Sequence, residues 1–215
     1  MDPDRFLREL PGRFDDFPRS AEPRDPRFAR ILAEIEGLAT PNTLALVHHA
    51  VSLLEPGETY VEVGTFRGAS LIAALLGNED KEAVALDRFT MRDATLESLE
   101  DNLARFGLHG VPTVLVGDAF ELVRGGALAG RSVGVWYYDA AHDYESQLEG
   151  LRMVEPYLVP GALLIVDDTD WDRVSRAIDD YVAAEPRARR ILSLAGTEHG
   201  SPQWWEGMQV LAWEG

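Results

Sequence analysis

The chain contains no cysteine. Disulfides, thiol nucleophiles and cysteine-ligated metal sites are therefore excluded, and a cytoplasmic setting is the expectation. It has no apolar run long enough to span a bilayer, so no membrane partner is expected. Its first residues, Met1-Asp2-Pro3-Asp4-Arg5, do not form a signal peptide. Positive charge is also scarce, with 20 Lys and Arg against 37 Asp and Glu and a formal net charge of −17. Nucleic-acid ligands need a basic surface to meet their phosphates, so DNA and RNA are not expected as partners. No internal repeat or low-complexity segment is present. What remains is an ordinary globular composition, 46% hydrophobic and 27% charged over 215 residues, enough for a full core.

The stretch that organises the rest is Thr59-Tyr60-Val61-Glu62-Val63-Gly64-Thr65-Phe66-Arg67-Gly68-Ala69-Ser70, followed by an apolar run from Leu71 to Leu76. A β-branched and aromatic run stops at one glycine, and a helical pattern begins at a second. This predicts a strand, a tight turn and a helix N-terminus in succession. Gly64 permits a positive φ and close approach of a ligand, and Gly68 lets the helix start near the strand. The dinucleotide pattern G-x-G-x-x-G lacks its middle glycine here. An acid two positions before the first glycine repels phosphate and suits an ammonium group.

Upstream, residues 1–27 are rich in Pro, Arg and Asp and read as a loose arm with one short helix, either a disordered terminus or a lid or dimer arm. Phe28, Ile31, Leu32 and Ile35 have helical spacing over Phe28 to Leu38. Thr40-Pro41 is a cap-then-proline start for a helix to about Leu54. His48 and His49 within it lack metal-ligand spacing and read as helix-surface or core-edge residues. The expected division is a helical arm or lid over 1–56 and a ligand-binding domain over 57–215.

Downstream, strand and helix alternate. Expected strands are Glu82 to Asp87, Pro112 to Asp118, Ser132 to Asp139, Ala162 to Asp168, Arg190 to Leu194 and Gln209 to Trp213. Helices are expected over Ala94 to Phe106, from Ala119, over Tyr144 to Leu158 and over Trp171 to Ala184. The order implies an α/β fold: a Rossmann-like three-layer αβα sandwich on a mostly parallel seven-stranded sheet with an antiparallel last strand.

Ligands of such sheets bind at the C-terminal strand ends. Here those ends are acidic: Asp87, Asp118, Asp139 and the pair Asp167-Asp168. Asp87 lies 23 positions after Gly64, near the spacing of a ribose-binding carboxylate. Asp139, Asp167 and Asp168 place three carboxylates at one mouth, where repulsion favours a bound cation. An all-oxygen set selects a hard ion, Mg²⁺ before Mn²⁺ or Ca²⁺.

These motifs together resemble the class I S-adenosylmethionine-dependent methyltransferases of the cation-dependent O-methyltransferase type. The carrying residues are Glu62-x-Gly64-x-x-x-Gly68-x-Ser70, Asp139-x-x-His142, the following Asp143-Tyr144-Glu145, the Leu158-Val159-Pro160-Gly161 turn and Val166-Asp167-Asp168. In this combination the chain is more similar to the macrolide-sugar and cephamycin-type enzymes of natural-product biosynthesis than to the catechol type, which has lysine at the position of His142. The resemblance covers about residues 57–185. It implies S-adenosylmethionine as cofactor, held by Glu62, Gly64, Thr65, Phe66, Gly68, Ser70, Asp87, Arg88, Asp118, Ala119 and Asp139. It implies Mg²⁺ on Asp139, Asp167 and Asp168, and His142 as the base that deprotonates a small hydroxylated acceptor. The N-terminal arm adds the expectation of a homodimer or a higher homo-oligomer, since such arms often pair subunits. Ala141 stands where catechol-type enzymes place a tryptophan against the adenine, which leaves Phe120 or Trp171 to supply that stacking. Trp204-Trp205 has no counterpart in the pattern. A metal-independent small-molecule methyltransferase and a non-catalytic cofactor-binding protein on the same fold remain as alternatives.

Overall fold

The computed structural model describes residues 1–196 and 203–215. Seven strands form one sheet: β1 (Glu58–Val63), β2 (Glu82–Asp87), β3 (Thr113–Val116), β4 (Ser132–Tyr138), β5 (Leu158–Asp167), β6 (Ala188–Leu194) and β7 (Met208–Trp213). Their order is β3-β2-β1-β4-β5-β7-β6. β1 pairs in parallel with β2 and β4, β2 with β3, and β4 with β5, whereas β7 runs antiparallel to both β5 and β6. The strand order reverses between β1 and β4, which places a crevice above the C-terminal ends of those two strands.

Alternation along the strands divides the core in two. On one face Tyr60, Val135, Tyr137, Leu163 and Ile165 join residues of α1 (Pro3–Glu9), α2 (Arg27–Glu34), α3 (Pro41–Ser52), α4 (Ala69–Leu75) and α5 (Leu96–Arg105). On the other, Val61, Trp136, Leu164 and Val166 join residues of α6 (Ala119–Arg124), α7 (Tyr144–Arg152) and α8 (Asp172–Ala184). The seven-stranded three-layer expectation is met, including the antiparallel last strand. No helix among the described residues is long and apolar enough to cross a membrane.

Three local departures have physical causes. The N-terminal arm is packed rather than loose: α1 and a following 3₁₀ turn bury Phe6, Leu10 and Phe14. Phe14 and Phe17 meet Trp204 with ring centroids 5.7 and 6.0 Å away, and the Trp204 indole N–H donates to the Pro18 carbonyl at 2.8 Å. The helix expected to reach Leu158 ends at Arg152, and Glu155–Tyr157 forms a 3₁₀ turn. Pro156 cannot donate to the helical ladder and disfavours helix at the residue before it. β5 begins at Leu158 rather than Ala162, with a register irregularity against β4 where the expected turn lies.

His48 and His49 are core residues of α3. His48 Nε2 lies 3.0 Å from the Arg27 guanidinium and its Nδ1 2.9 Å from the Ala73 carbonyl. His49 Nδ1 lies 3.2 Å from the Arg13 guanidinium and Nε2 3.3 Å from the Phe6 carbonyl. Each neutral ring accepts from an arginine with one nitrogen and donates to a carbonyl with the other, tying the arm to the core. Burial and the adjacent guanidinium push each pKa down to about 4.

Candidate active site

The glycine turn after β1 sets the geometry. Gly64 adopts φ +91°, and a Cβ there would lie 1.7 Å from the Asp139 carbonyl oxygen. Only glycine lets the ends of β1 and β4 lie this close. Gly68 caps α4 at φ +91°, where a Cβ would meet Leu99 of α5 at 2.4 Å. Phe66 sits at φ 51°, and its N–H donates to the Asp87 carboxylate at 2.6 Å. The second Asp87 oxygen accepts the Phe89 N–H at 2.6 Å. Asp87 therefore fixes the turn and its own loop, while each oxygen retains acceptor capacity.

Above the turn lies a cavity of about 470 Å³, within the usual range for small-ligand sites. Gly64, Thr65, Phe66 and Ser70 form its floor, and Asp87 and Arg88 flank it. At that same end stand Asp118, Ala119 and Phe120. Asp118 caps α6 by accepting the Glu121 N–H at 3.0 Å, and its other oxygen lies 3.2 Å from Arg88. Of the two aromatics considered for stacking, Phe120 belongs to this end. Trp171 stands at the other, edge-on to His142 with centroids 5.3 Å apart. Gly37, Leu38 and Ala39, outside the region of resemblance, also line the cavity.

Glu62 does not reach the wall. Its carboxylate is wholly buried below the turn, accepting hydrogen bonds from the Tyr60 hydroxyl and, at 2.9 Å, from the Ser70 hydroxyl. Burial pushes its pKa up to about 7, against the lowering effect of the two hydroxyls. Ser70, which does line the cavity, links this carboxylate to the space above.

The far end gathers Asp139, His142 and Asp168, each offering a ligand atom within 4.8 Å of the others. His142 Nε2 is 3.1 Å from Asp168 Oδ2 and 3.9 Å from Asp139 Oδ1. Among the described residues, its buried Nδ1 has no hydrogen-bond partner. Asp168 takes φ 54°, which ends the extended run of β5, and its carboxylate lies beside His142 whereas that of Asp167 lies on the Tyr137 hydroxyl. Asp167, expected as a third ligand, is not in this group: it is buried on the β5 face occupied by Ile165, where it accepts the Tyr137 hydroxyl at 2.7 Å and the Asp168 N–H at 3.0 Å. The gathered set is thus two carboxylates and an imidazole rather than three carboxylates.

The electrostatics suit a cation. Burial, then the charges of Asp167, Glu206 and Asp170, raise Asp168 to about 7. Burial, then Asp167 and Asp168, push Asp139 well above the carboxylate range. Burial, reinforced by Arg173, keeps His142 below the usual imidazole value, so the ring is neutral at pH 7. Facing carboxylates penalised for their own charge, next to a neutral nitrogen donor, fit a divalent ion. Trp205 and Glu206 complete this end. The unassigned Trp204-Trp205 pair thus divides, Trp204 joining the core and Trp205 the cavity. Only the aromatic doublet itself could have signalled this.

A family model described as a methyltransferase domain matches residues 61–169, half of the chain. No curated protein sequence matches significantly. Among solved structures, the chain is similar to the O-methyltransferase TomG from Streptomyces achromogenes, involved in tomaymycin synthesis and solved with S-adenosylmethionine. The two share 19% identity over 100% of both chains, with a TM-score of 0.66. An O-methyltransferase from Bacillus cereus, in complex with S-adenosylhomocysteine, has a TM-score of 0.63 and 18% identity over 89% of this chain and 92% of that one. CalS11, a TDP-rhamnose 3'-O-methyltransferase of calicheamicin biosynthesis, has a TM-score of 0.57 and 18% identity over 98% and 92%. The chain belongs to the methyltransferase-domain family, on the Rossmann-like fold of the class I S-adenosylmethionine-dependent enzymes.

Proposed function

We infer that the protein is an S-adenosylmethionine- and Mg²⁺-dependent O-methyltransferase of a small hydroxylated molecule. One observation carries this reading: a single cavity joins the Gly64–Ser70 turn at one end to the Asp139, His142 and Asp168 group at the other. The solved neighbours that bind the methyl donor or its product add support.

In this reading the turn amides at the start of α4 and the Ser70 hydroxyl hold the amino-acid end of the cofactor. Glu62 acts from below by orienting Ser70. Asp87 accepts the ribose hydroxyls, and Asp118, Ala119 and Phe120 face the adenine. The bound cofactor supplies a methyl group already activated on a sulfonium, so orientation of the acceptor provides much of the rate gain. Asp139 and Asp168 hold the divalent cation, whose contribution when bound is to lower the pKa of the acceptor hydroxyl. His142, neutral and beside both carboxylates, takes the proton of that hydroxyl. Trp171 packs against the ring and keeps it facing the two carboxylates.

The test is calorimetric titration of Mg²⁺ into the protein saturated with S-adenosylhomocysteine, comparing wild type with Asp168→Asn. Binding that is present in wild type and lost in the variant supports the cation role. No Mg²⁺ binding in wild type would remove the cation from the mechanism and leave His142 to act alone. Product binding without transfer to any hydroxylated acceptor would instead favour a non-catalytic protein.

A further inference from the structure

The end of the cavity that holds Asp139, His142 and Asp168 is walled by two indoles, Trp171 and Trp205. Cationic groups with no part in the proposed methyl transfer stand at its mouth. Arg173 follows Trp171 by two positions, as the second residue of α8, and is exposed. Its guanidinium lies over the Trp171 ring, 4.6 Å from the centroid. After burial, its charge is the next cause that lowers the pKa of His142, so it stands close to the wall. Arg176 lies one helical turn further along the same face of α8, exposed and over the Tyr144 ring at 5.5 Å.

These two side chains lack the partners that other arginines find. Acids outnumber Lys and Arg by 37 to 20, and the arginines around the cofactor end are engaged: Arg67 and Arg92 by Glu36, and Arg88 by Asp118. Among the described residues neither Arg173 nor Arg176 forms an ion pair, and each rests on an aromatic ring instead. The acids nearby have other engagements. Asp143 accepts the Ser146 N–H at 2.9 Å, Asp180 accepts the Tyr144 hydroxyl at 2.7 Å, and Asp179 pairs with Arg190. Glu145 and Asp172 occupy the first turns of α7 and α8, where the helix dipole offsets an acid. A guanidinium laid on a ring is held in one orientation and keeps its N–H edge free for an oxyanion. Two of them one turn apart suit a carboxylate or a phosphate.

We propose that the acceptor is a hydroxylated ring compound with an anionic substituent, its ring against the Trp171 and Trp205 indoles and its anion projecting past Trp171 onto Arg173, with Arg176 as the second cation. The proposal rests on the O-methyltransferase reading. The two ends of such a molecule meet opposite fields. Its hydroxyl enters beside Asp139 and Asp168, whose charges a divalent cation would offset, while its negative group stays outside among arginines. The ring between them gains from the indole faces. Arg173 is thus a specificity-determining residue.

The experiment titrates catechol probes into protein saturated with S-adenosylhomocysteine and Mg²⁺. 3,4-Dihydroxyphenylacetate carries a carboxylate, 3,4-dihydroxybenzylphosphonate a phosphonate, 4-ethylcatechol is neutral, and dopamine carries an ammonium. The anionic probes are expected to bind about fivefold tighter than the neutral one, the scale of a partly exposed charge pair, with dopamine weakest and the differences fading at high salt. The tighter of the two anions identifies the group. In Arg173→Gln the advantage should shrink to about twofold or less, with the affinities for 4-ethylcatechol and S-adenosylhomocysteine unchanged. Arg176→Gln should reduce it by a smaller factor. Arg8→Gln removes the same charge from the last turn of α1 and should leave the order as it is. Equal binding of anionic and neutral probes, or equal effects of Arg173→Gln and Arg8→Gln, overturns the proposal. Transfer of labelled methyl from S-adenosylmethionine to the same probes separates the two claims. Methylation without any charge order refutes only the anionic substituent. Cofactor binding with no probe bound or methylated refutes both the anion and the catechol-like acceptor on which it rests.

Discussion

Replacing Gly64 by alanine tests whether the close approach of β1 and β4 builds the site. The new Cβ would lie 1.7 Å from the Asp139 carbonyl oxygen. Carbon–oxygen contacts close at about 3.3 Å, so about 1.6 Å must be opened between two backbones, with no rotamer available to yield. The Asp139 N–H donates to the Val63 carbonyl at 2.9 Å beside this point, and separating the strands breaks that bond. A left-handed residue with a Cβ costs roughly 1–2 kcal/mol, and losing a buried backbone hydrogen bond adds about 1–3 kcal/mol. Gly57 is the control: its φ is +86°, and nothing lies within 4 Å of the added Cβ. Gly57→Ala thus pays only the conformational term. Gly64→Ala should be less stable than this control by about 2 kcal/mol, or roughly 4–8 °C in melting temperature for a domain of this size. It should also lose affinity for S-adenosylhomocysteine, which Gly57→Ala retains. Thermal melts and calorimetric titrations of both variants measure this. If the two variants melt within about 1 °C of each other and bind equally, the close approach is not what requires glycine at 64.

Acid should loosen the N-terminal arm through His48 and His49. Their folded pKa values of about 4 lie below the ordinary 6.5, so the unfolded chain binds more protons between those limits. Their contribution is complete above pH 6.5 and is lost as pH falls to about 4, on the order of 3 kcal/mol each. Urea unfolding of wild type and the His48→Gln, His49→Gln double variant across this range should show a weaker pH dependence in the variant. Tyr137→Phe removes the hydroxyl that Asp167 accepts. Burial pushes Asp167 up to about 6, so the loss should cost about 1–3 kcal/mol at pH 8 and less at pH 5, where the carboxyl is neutral. Glu36→Gln weakens the contacts of Glu36 with Arg67 at 3.2 Å and Arg92 at 2.6 Å, which join three segments lining the cavity, around Gly37, Phe66 and Met91. These exposed pairs should change stability by less than about 1 kcal/mol. Stopped-flow release of S-adenosylhomocysteine should nevertheless be faster in the variant, with the difference fading at high salt.

Much of the fold was legible because periodicity and punctuation coincide. The β-branched runs at 59–63, 82–87 and 132–138 have apolar residues on both faces, as strands covered by two helical layers require. The glycines at 64 and 68 mark both boundaries of the first turn. The arm at 1–27 was less legible, since its three buried aromatic and leucine anchors, Phe6, Leu10 and Phe14, are spaced among Pro, Arg and Asp that read as disorder. Their burial depends on α3 and on Trp204, far along the chain, and no local pattern announces a partner nearly two hundred positions away.

The same limit explains which site residues were placed well. Residue type at a strand end shows that an acid is near the mouth, but not which way it points. Period-two alternation puts Glu62 on the same face as Tyr60, and Asp167 on the face of Ile165, and both carboxylates end beneath the cavity on tyrosine hydroxyls. Asp168 leaves the extended run of β5 through a positive φ, which no residue other than glycine advertises in sequence. His142 reaches the same point because the chain turns after Asp139 and brings a residue three positions later back beside it. The buried pair has a use of its own. Glu62 supports Ser70 from below, and Asp167 accepts the Asp168 N–H in the turn after β5. The acids legible at the strand ends therefore fall into two layers. The outer one faces the cavity; in the inner one Asp167 holds the backbone of Asp168, and Glu62 holds the Ser70 hydroxyl.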